Sequence, residues 1–354
     1  MESSSPTPSS LPASILDQVL RSEVLKGPWK KLRAGKSITL DHVAREAWSF
    51  ATALTAIAAP QQRVWILCPD PRTQEQIHGE LPAWGLPALF FPRLPAAEGE
   101  DALPDPDMQA ERLGVLAKIG SGTSNMPVPQ HVTVICHDSL DEEVPAQVEL
   151  DSRRRHLQTG LKIEVESMLD ELTQAGYERN PVVTERGQFA RRGGIVDVFP
   201  WQAEEPLRIE FGDDAIESLR AFDIHTQTSV QKFEEVTILL GQPDQSGAKA
   251  KVSDYISPGD LVVFIEPEKE ITTSRRHVII TSGTTTDDIT KDFSCSIFEN
   301  PLGVFHAGDF VLNEIRRAQF AKQIEEWRRD EWRVVAFFHN EGERERFEEL
   351  ATKP

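Results

Sequence analysis

The hydrophobic and polar positions of this chain predict an alternation of strands and helices, broken in the middle by a segment of different character. Arg63–Asp70 (Arg-Val-Trp-Ile-Leu-Cys-Pro-Asp) and Val132–Cys136 (Val-Thr-Val-Ile-Cys) are short apolar runs of the kind that form buried strands. Between and around them, residues 43–58, 73–81 and 108–119 read as helices, and Leu89-Phe90-Phe91 as a short strand. Residues 15–26 also have helical spacing, and Gly27-Pro28 is expected to stop that helix. Strands and helices in alternation imply a parallel sheet. The Pro- and acid-rich stretch 92–107 and the Gly/Ser/Thr/Pro stretch 120–130 read as loops.

From about Asp138 the pattern changes. Residues 165–175 form an amphipathic helix ended by Gly176-Tyr177. The stretch Gly193-Gly194-Ile195-Val196-Asp197-Val198-Phe199-Pro200 reads as a buried strand entered through a double glycine, with Arg191 and Arg192 at its mouth. Leu207-Arg208-Ile209-Glu210-Phe211 alternates strictly, as a strand with one wet face does. The spacing of Ile216, Leu219 and Phe222 fits either a bulged strand or a short helix. Further strands are expected at 236–240, 261–265, 276–281 and 333–338, a short helix near 252–257, and helices at 313–332 and 341–350.

Composition narrows the classes. With 39% hydrophobic and 27% charged residues over 354 positions, the chain has the make-up of a soluble globular protein of more than one domain. The formal net charge of -19 argues against a surface that wraps nucleic acid non-specifically. Against that background residues 151–200 are neutral, with eight Lys/Arg and eight Asp/Glu. An arginine-lined face there, Arg153-Arg154-Arg155 included, would suit an acidic or polar partner, or merely solvate an exposed edge. Cys68, Cys136 and Cys295 lack metal-ligand spacing and read as buried thiols in a reducing compartment. The start, residues 1–14, reads as a disordered tail and not a signal peptide, and no run of about 18 apolar residues could span a membrane.

Catalytic patterns are missing. Gly35-Lys36-Ser37 ends like a phosphate-binding loop, but Lys30 stands where the pattern needs its first glycine, so a polar turn is expected. Asp138, after an apolar strand, is read as a capping or turn residue and not as a magnesium ligand. The Asp-Glu pairs at 141–142, 170–171 and 330–331 lack a preceding apolar strand, and no histidine lies in an HExxH or HxH arrangement.

The segment "RRGGIVDVFP…LRIEFGDDAIESLRAFD…TQTS" resembles the one shared by the excision-repair helicase UvrB and the bacterial transcription-repair coupling factors, and most other regions resemble the coupling factors in order and spacing. The resemblance implies an α/β fold: a degenerate RecA/P-loop-like parallel sheet domain, 15–137 and 241–354, with an inserted α+β UvrB-type UvrA-interaction domain, 138–240. Where UvrB has its phosphate loop this chain has Arg45-Glu46-Ala47-Trp48-Ser49-Phe50, with no glycine to wrap a phosphate and no lysine to neutralise it. The expectation is therefore a non-catalytic, cytoplasmic module without cofactor that recruits UvrA for transcription-coupled nucleotide excision repair. The contacts implied are Arg192 foremost, then Arg191, Phe189 and Arg179; Asp197 and Phe199 are expected to serve the strand. Glu178 stands where the family often has a basic residue. A parent protein of this family would be an ATP- and Mg-dependent double-stranded DNA translocase that displaces RNA polymerase, its motor covering the UvrA surface at rest. The alternatives are a UvrB-related helicase module working through Lys36 and a standalone scaffold. UvrB itself fits less well, because it reads DNA with a tyrosine-rich hairpin and this chain has two tyrosines, Tyr177 and Tyr255.

Overall fold

The computed structural model describes residues 11–60, 62–94, 105–120, 132–212, 215–241, 247–268, 271, 273–283, 291–294, 314–330 and 341–351. The chain divides into two compact units, Met1–Cys295 and Ser296–Pro354.

The first unit begins with helices α1 (Leu11–Leu20) and α2 (Glu23–Arg33), followed by strand β1 (Ile38–Asp41) and helix α3 (Trp48–Ala58). Then come β2 (Val64–Cys68), α4 (Pro71–Glu80), β3 (Leu89–Phe91), α5 (Pro106–Gly120) and β4 (Val132–Cys136). Next in the chain are β5 (Glu143–Pro145), α6 (Gln147–Ser152), β6 (Arg154–Gln158), α7 (Val165–Gln174) and β7 (Glu178–Arg179). They lead into β8 (Gln188–Arg192), β9 (Ile195–Val198), β10 (Leu207–Phe211), β11 (Ile216–Phe222), β12 (Ser229–Phe233) and β13 (Glu235–Leu239). Finally β14 (Lys249–Lys251), β15 (Leu261–Ile265), β16 (His277–Ile280) and β17 (Lys291–Ser294) close the unit.

Seven strands form a parallel sheet in the order β17-β1-β16-β15-β2-β4-β3. Strands β15, β16 and β17 thus rejoin the sheet that β1 to β4 begin, after a long excursion. Period-two alternation along β2 sends Val64, Ile66 and Cys68 to one face and Trp65 and Leu67 to the other. The first face packs on α1, α2 and α3; the second is covered by α5 and by the 3-10 turn Val252–Tyr255.

A six-stranded mixed sheet, β12-β11-β10-β9-β8-β7, is made within the excursion. Its pairs are antiparallel except β7 with β8. Of the two alternatives for residues 215–222 the strand is the one observed, with a register irregularity at Glu210/Phe211 that accounts for its three-residue apolar spacing.

The second unit holds helices α8 (Glu314–Arg329) and α9 (Glu341–Ala351), joined by an edge-on contact of the Phe320 and Phe347 rings. The strand expected at 333–338, Cys295 and residues 1–10 lie outside the described residues, whereas 11–14 of the expected tail are helical.

Two local expectations are corrected. Gly27-Pro28 does not stop a helix; Pro28 lies inside α2. An interior proline costs about 3 kcal/mol, but Leu25, Trp29 and Leu32 are buried at 5%, 2% and 1% exposure, and the two leucines alone return about 1.5–3 kcal/mol each. The triple arginine does not line a free docking face either. Arg153 pairs with Glu149 at 2.6 Å, Arg154 with Asp151 at 2.8 Å, and Arg155 with Glu171 at 3.0 Å.

Gly35-Lys36-Ser37 is a turn of a specific kind. The Lys36 amide donates to Lys31 O at 3.1 Å and the Gly35 amide to Leu32 O at 3.0 Å, with Gly35 at φ +81°, which is the glycine cap at the C-terminal end of α2. A phosphate loop needs free amides at the opposite, N-terminal end of a helix. Ser37 Oγ instead accepts from the His277 amide at 3.1 Å and fixes β1 beside β16.

Candidate partner-binding site

The six-stranded sheet has a dry face and a polar one because its strands alternate. Phe189, Val196, Val198, Leu207, Ile209 and Leu219 point to the dry face and meet Met168, Leu169 and Leu172 of α7. Helix α7 ends in a second glycine cap: Tyr177 N donates to Leu172 O at 3.0 Å and Gly176 takes φ +85°. Tyr177 then turns inward, and its hydroxyl donates to Leu239 O at 2.8 Å. The end of the helix is thereby pinned to β13, which pairs with β6 beside the six-stranded sheet.

Strands β8 and β9 are joined by Gly193-Gly194, a two-residue hairpin with positive φ (63°) at its first position, where only glycine sits without strain. The double glycine therefore enters no strand alone; it ends one and begins the next. Gln188–Arg192 was not legible as a strand because two arginines close it.

This geometry sorts the four residues that the resemblance singled out. Phe189 is 1% exposed and its ring belongs to the dry core, so it holds the strand and presents nothing to a partner. Arg191 is at the surface, ion-paired with Glu166 of α7 and donating to Gly193 O at 3.2 Å. Arg192, opposite Ile195 at the hairpin tip, is exposed and has no ion-pair partner among the described residues. Arg179 is exposed on the edge strand β7, opposite Phe189, with Glu178 beside it. Arg192 points to the polar face and Arg191 to the other, since neighbours in a strand alternate.

Four other charges of the polar face, Asp197, Arg208, Glu210 and Arg220, satisfy one another. Asp197, 2% exposed, accepts from Arg208 Nε at 2.7 Å and Nη2 at 2.9 Å. Arg208 also lies over the Phe222 ring, 4.5 Å from its centroid, and the pairing with Asp197 raises its pKa further. Glu210 accepts from Ser218 Oγ at 2.6 Å and pairs with Arg220. The Ser218 hydrogen bond, aided by Arg220 and opposed by burial, holds the Glu210 carboxyl below its ordinary value of 4.5. A carboxylate depressed on folding stabilises the fold above its ordinary pKa and loses that contribution as the pH falls through the folded value. Thermal melts are accordingly expected to fall below pH 4.5, and Ser218→Ala, which lets the Glu210 pKa rise toward ordinary, should flatten part of that decline.

Arg186 ties the mixed sheet to the parallel-sheet elements. Its guanidinium donates to Ala203 O at 3.0 Å, pairs with Asp107 of α5 and lies 5.2 Å from the Phe199 ring centroid. Neither Arg186 nor Glu166 was legible as a contact in the sequence, because Asp107 and Arg191, their ion-pair partners, are distant along the chain.

Elsewhere, Arg45 lies 5.3 Å from the Trp48 ring centroid, and Ser49 Oγ donates to Glu80 at 2.7 Å, where α3 begins. Asp138 sits in a 3-10 turn after β4 and pairs with Arg93 at 2.5 Å. Cys68 and Cys136 are fully buried register partners on β2 and β4, and burial pushes the Cys136 thiol up to about 12, leaving it inert. No cluster of metal-ligating residues occurs, and no helix is long and apolar enough to cross a membrane, among the described residues.

A hairpin-tipped mixed sheet, backed by one helix and inserted between strands of a parallel sheet, defines a UvrB-like module, and residues 156–242 match the family model of the UvrB interaction domain. The chain is similar to the transcription-repair-coupling factor of Bacillus subtilis (strain 168), 28% identical over 176 residues that make up 48% of this chain and 14% of that relative. It is likewise similar to the transcription-repair-coupling factor of Staphylococcus aureus (strain MRSA252), 30% identical over 163 residues, 46% of this chain and 12% of the relative. The chain thus carries an Mfd/UvrB-like module, and the matched segment spans about an eighth of the curated relatives' length.

Proposed function

We propose that this module serves transcription-coupled DNA repair by recruiting UvrA, and that it does so without chemistry of its own. The observation that carries the reading is Arg192, an exposed arginine without an ion partner among the described residues, set at the tip of a hairpin whose strands are buried beneath it. A preorganised tip loses little entropy on docking, and a guanidinium bonds carboxylates and carbonyls through a planar fork. Arg179 flanks the site from the sheet edge, and Arg191, braced by Glu166, contributes less. Calorimetric titration with UvrA is expected to show Arg192→Ala weakening binding about tenfold, or 1.4 kcal/mol, with Arg191→Ala smaller. Unchanged affinity for the double variant would remove the assignment.

The nucleotide site is degenerate in this reading. The capped end of α2 at Lys36 and the Trp48 and Glu80 side chains at the start of α3 support it, as does the pairing of Asp138 with Arg93. No saturable ATP binding is expected up to millimolar concentration; binding abolished by Lys36→Ala would favour the helicase alternative. In a longer parent, a translocase motor, RNA polymerase and double-stranded DNA would be handled by other parts of the chain, and the motor would cover this face at rest.

A further inference from the structure

The two ends of β8 carry unmatched charges of opposite sign on one face of the mixed sheet. Arg192 closes the strand at the hairpin; at its start Glu178, in register with Gln188, shares the side of the sheet to which Gln188 and Arg192 point. From Gln188 to Arg192 an extended strand covers about 13 Å. Glu185, in the turn that enters β8, is exposed like Glu178, and neither carboxylate has an ion-pair partner among the described residues. Arg179 does not neutralise its neighbour Glu178, since register with Phe189 places it on the other face.

Both carboxylates line a cleft of about 590 Å³ beside the edge strand β7. Its charged lining is Asp107, Glu178 and Glu185 against Arg186 alone, and Arg186 is already engaged by Asp107, Ala203 O and the Phe199 ring. Phe199 and Trp201 give the same cleft aromatic walls. The frame is set before any partner arrives. The Glu178 amide donates to Gly187 O at 2.8 Å and the Gly187 amide to Phe199 O at 2.8 Å, while the Thr184 and Glu185 amides donate to Gln188 Oε1 at 2.9 and 3.2 Å. Gly187, at φ +80°, lies so close to Trp201 that a Cβ there would fall 2.0 Å from the indole ring.

We propose that this cleft receives a cationic side chain of UvrA, a lysine or an arginine, while Arg192 meets a carboxylate or carbonyl about 13 Å away. The inference rests on the UvrA reading above and adds to it the direction in which the partner docks. A cation gains from two unpaired carboxylates and from aromatic rings at once. A carboxylate entering the cleft would face three groups of its own sign, and an apolar side chain would cover Glu178 and Glu185 without pairing them. Between the two poles Asp197 with Arg208 and Glu210 with Arg220 are matched within the chain, so the middle of the face carries little preference for either sign. Opposite poles at the two ends of one strand admit one orientation of the partner; turned round, like charges meet.

The test is calorimetric titration of the 354-residue chain with UvrA of the same organism. Glu178→Lys with Glu185→Lys is expected to weaken binding at least about tenfold, and Glu178→Gln with Glu185→Gln, which removes attraction without adding repulsion, about two- to fivefold. Melting temperatures should not change, because both side chains are exposed and hold nothing in place. Asp170→Lys with Glu234→Lys, a reversal of exposed carboxylates on α7 and after β12, should leave the affinity as it is. Adding Arg192→Ala to the reversal at 178 and 185 should multiply the two losses, since contacts more than about 10 Å apart act independently. Equal losses from the two double reversals would overturn the proposal, as would a combined variant no weaker than Arg192→Ala alone. Arg192→Ala weakening the complex while the reversal at 178 and 185 does not would overturn it and leave the UvrA reading standing; no effect from either would remove both.

Discussion

Phe189→Ala is expected to destabilise the module by about 3–5 kcal/mol, the range for truncating a buried aromatic ring. The ring is 1% exposed and packs against the apolar face of α7, with Val198 as its cross-strand partner. A loss of that size is a large fraction of the 5–15 kcal/mol that holds a typical domain together. Chemical denaturation would show it as a lowered midpoint. UvrA binding by the fraction still folded should be near normal, because Phe189 shapes the strand and touches no partner. A midpoint shift below about 1 kcal/mol would mean that the strand is not seated as described.

The second large effect belongs to Asp197→Ala. Removing this carboxylate strands the Arg208 guanidinium, which donates two of its hydrogen bonds there and is only 18% exposed. Breaking a buried pair from one side costs about 3–5 kcal/mol. The lower end is expected because Arg208 keeps its contacts with Gln227 and the Phe222 ring. Arg192→Ala should by contrast leave the melting temperature unchanged, since that side chain holds nothing in place. The pair of variants separates residues that build the sheet from the residue that uses it; similar destabilisation by both would erase the distinction.

Much of this was legible in the residues. Apolar runs such as Val64–Cys68 and Val132–Cys136 are buried strands of a parallel sheet, and the strict alternation of Leu207–Phe211 is a half-wet one. What escaped was set by contacts distant in sequence. Pro28 is tolerated because Trp29 and Leu32 are buried against the sheet, which no local rule records. Gln188–Arg192 ends in two exposed arginines and Ser229–Phe233 is exposed over most of its length, so neither carries an apolar signature, although Gly193-Gly194 is a hairpin signal that could have revealed the first. Arginines 153–155 look like a surface run in sequence and turn out to be matched with Glu149, Asp151 and Glu171. The tie of Arg191 to Glu166, a residue on another element, is likewise invisible along the chain.

The most direct test of the central claim is hydrogen–deuterium exchange of the chain with and without UvrA. Protection is expected to rise over the hairpin 188–195 and the edge strand 178–179, and to need about tenfold more UvrA with Arg192→Ala, while the α7 amides stay as protected as before. Added protection that falls elsewhere, with the hairpin amides unaffected by saturating UvrA, would contradict it.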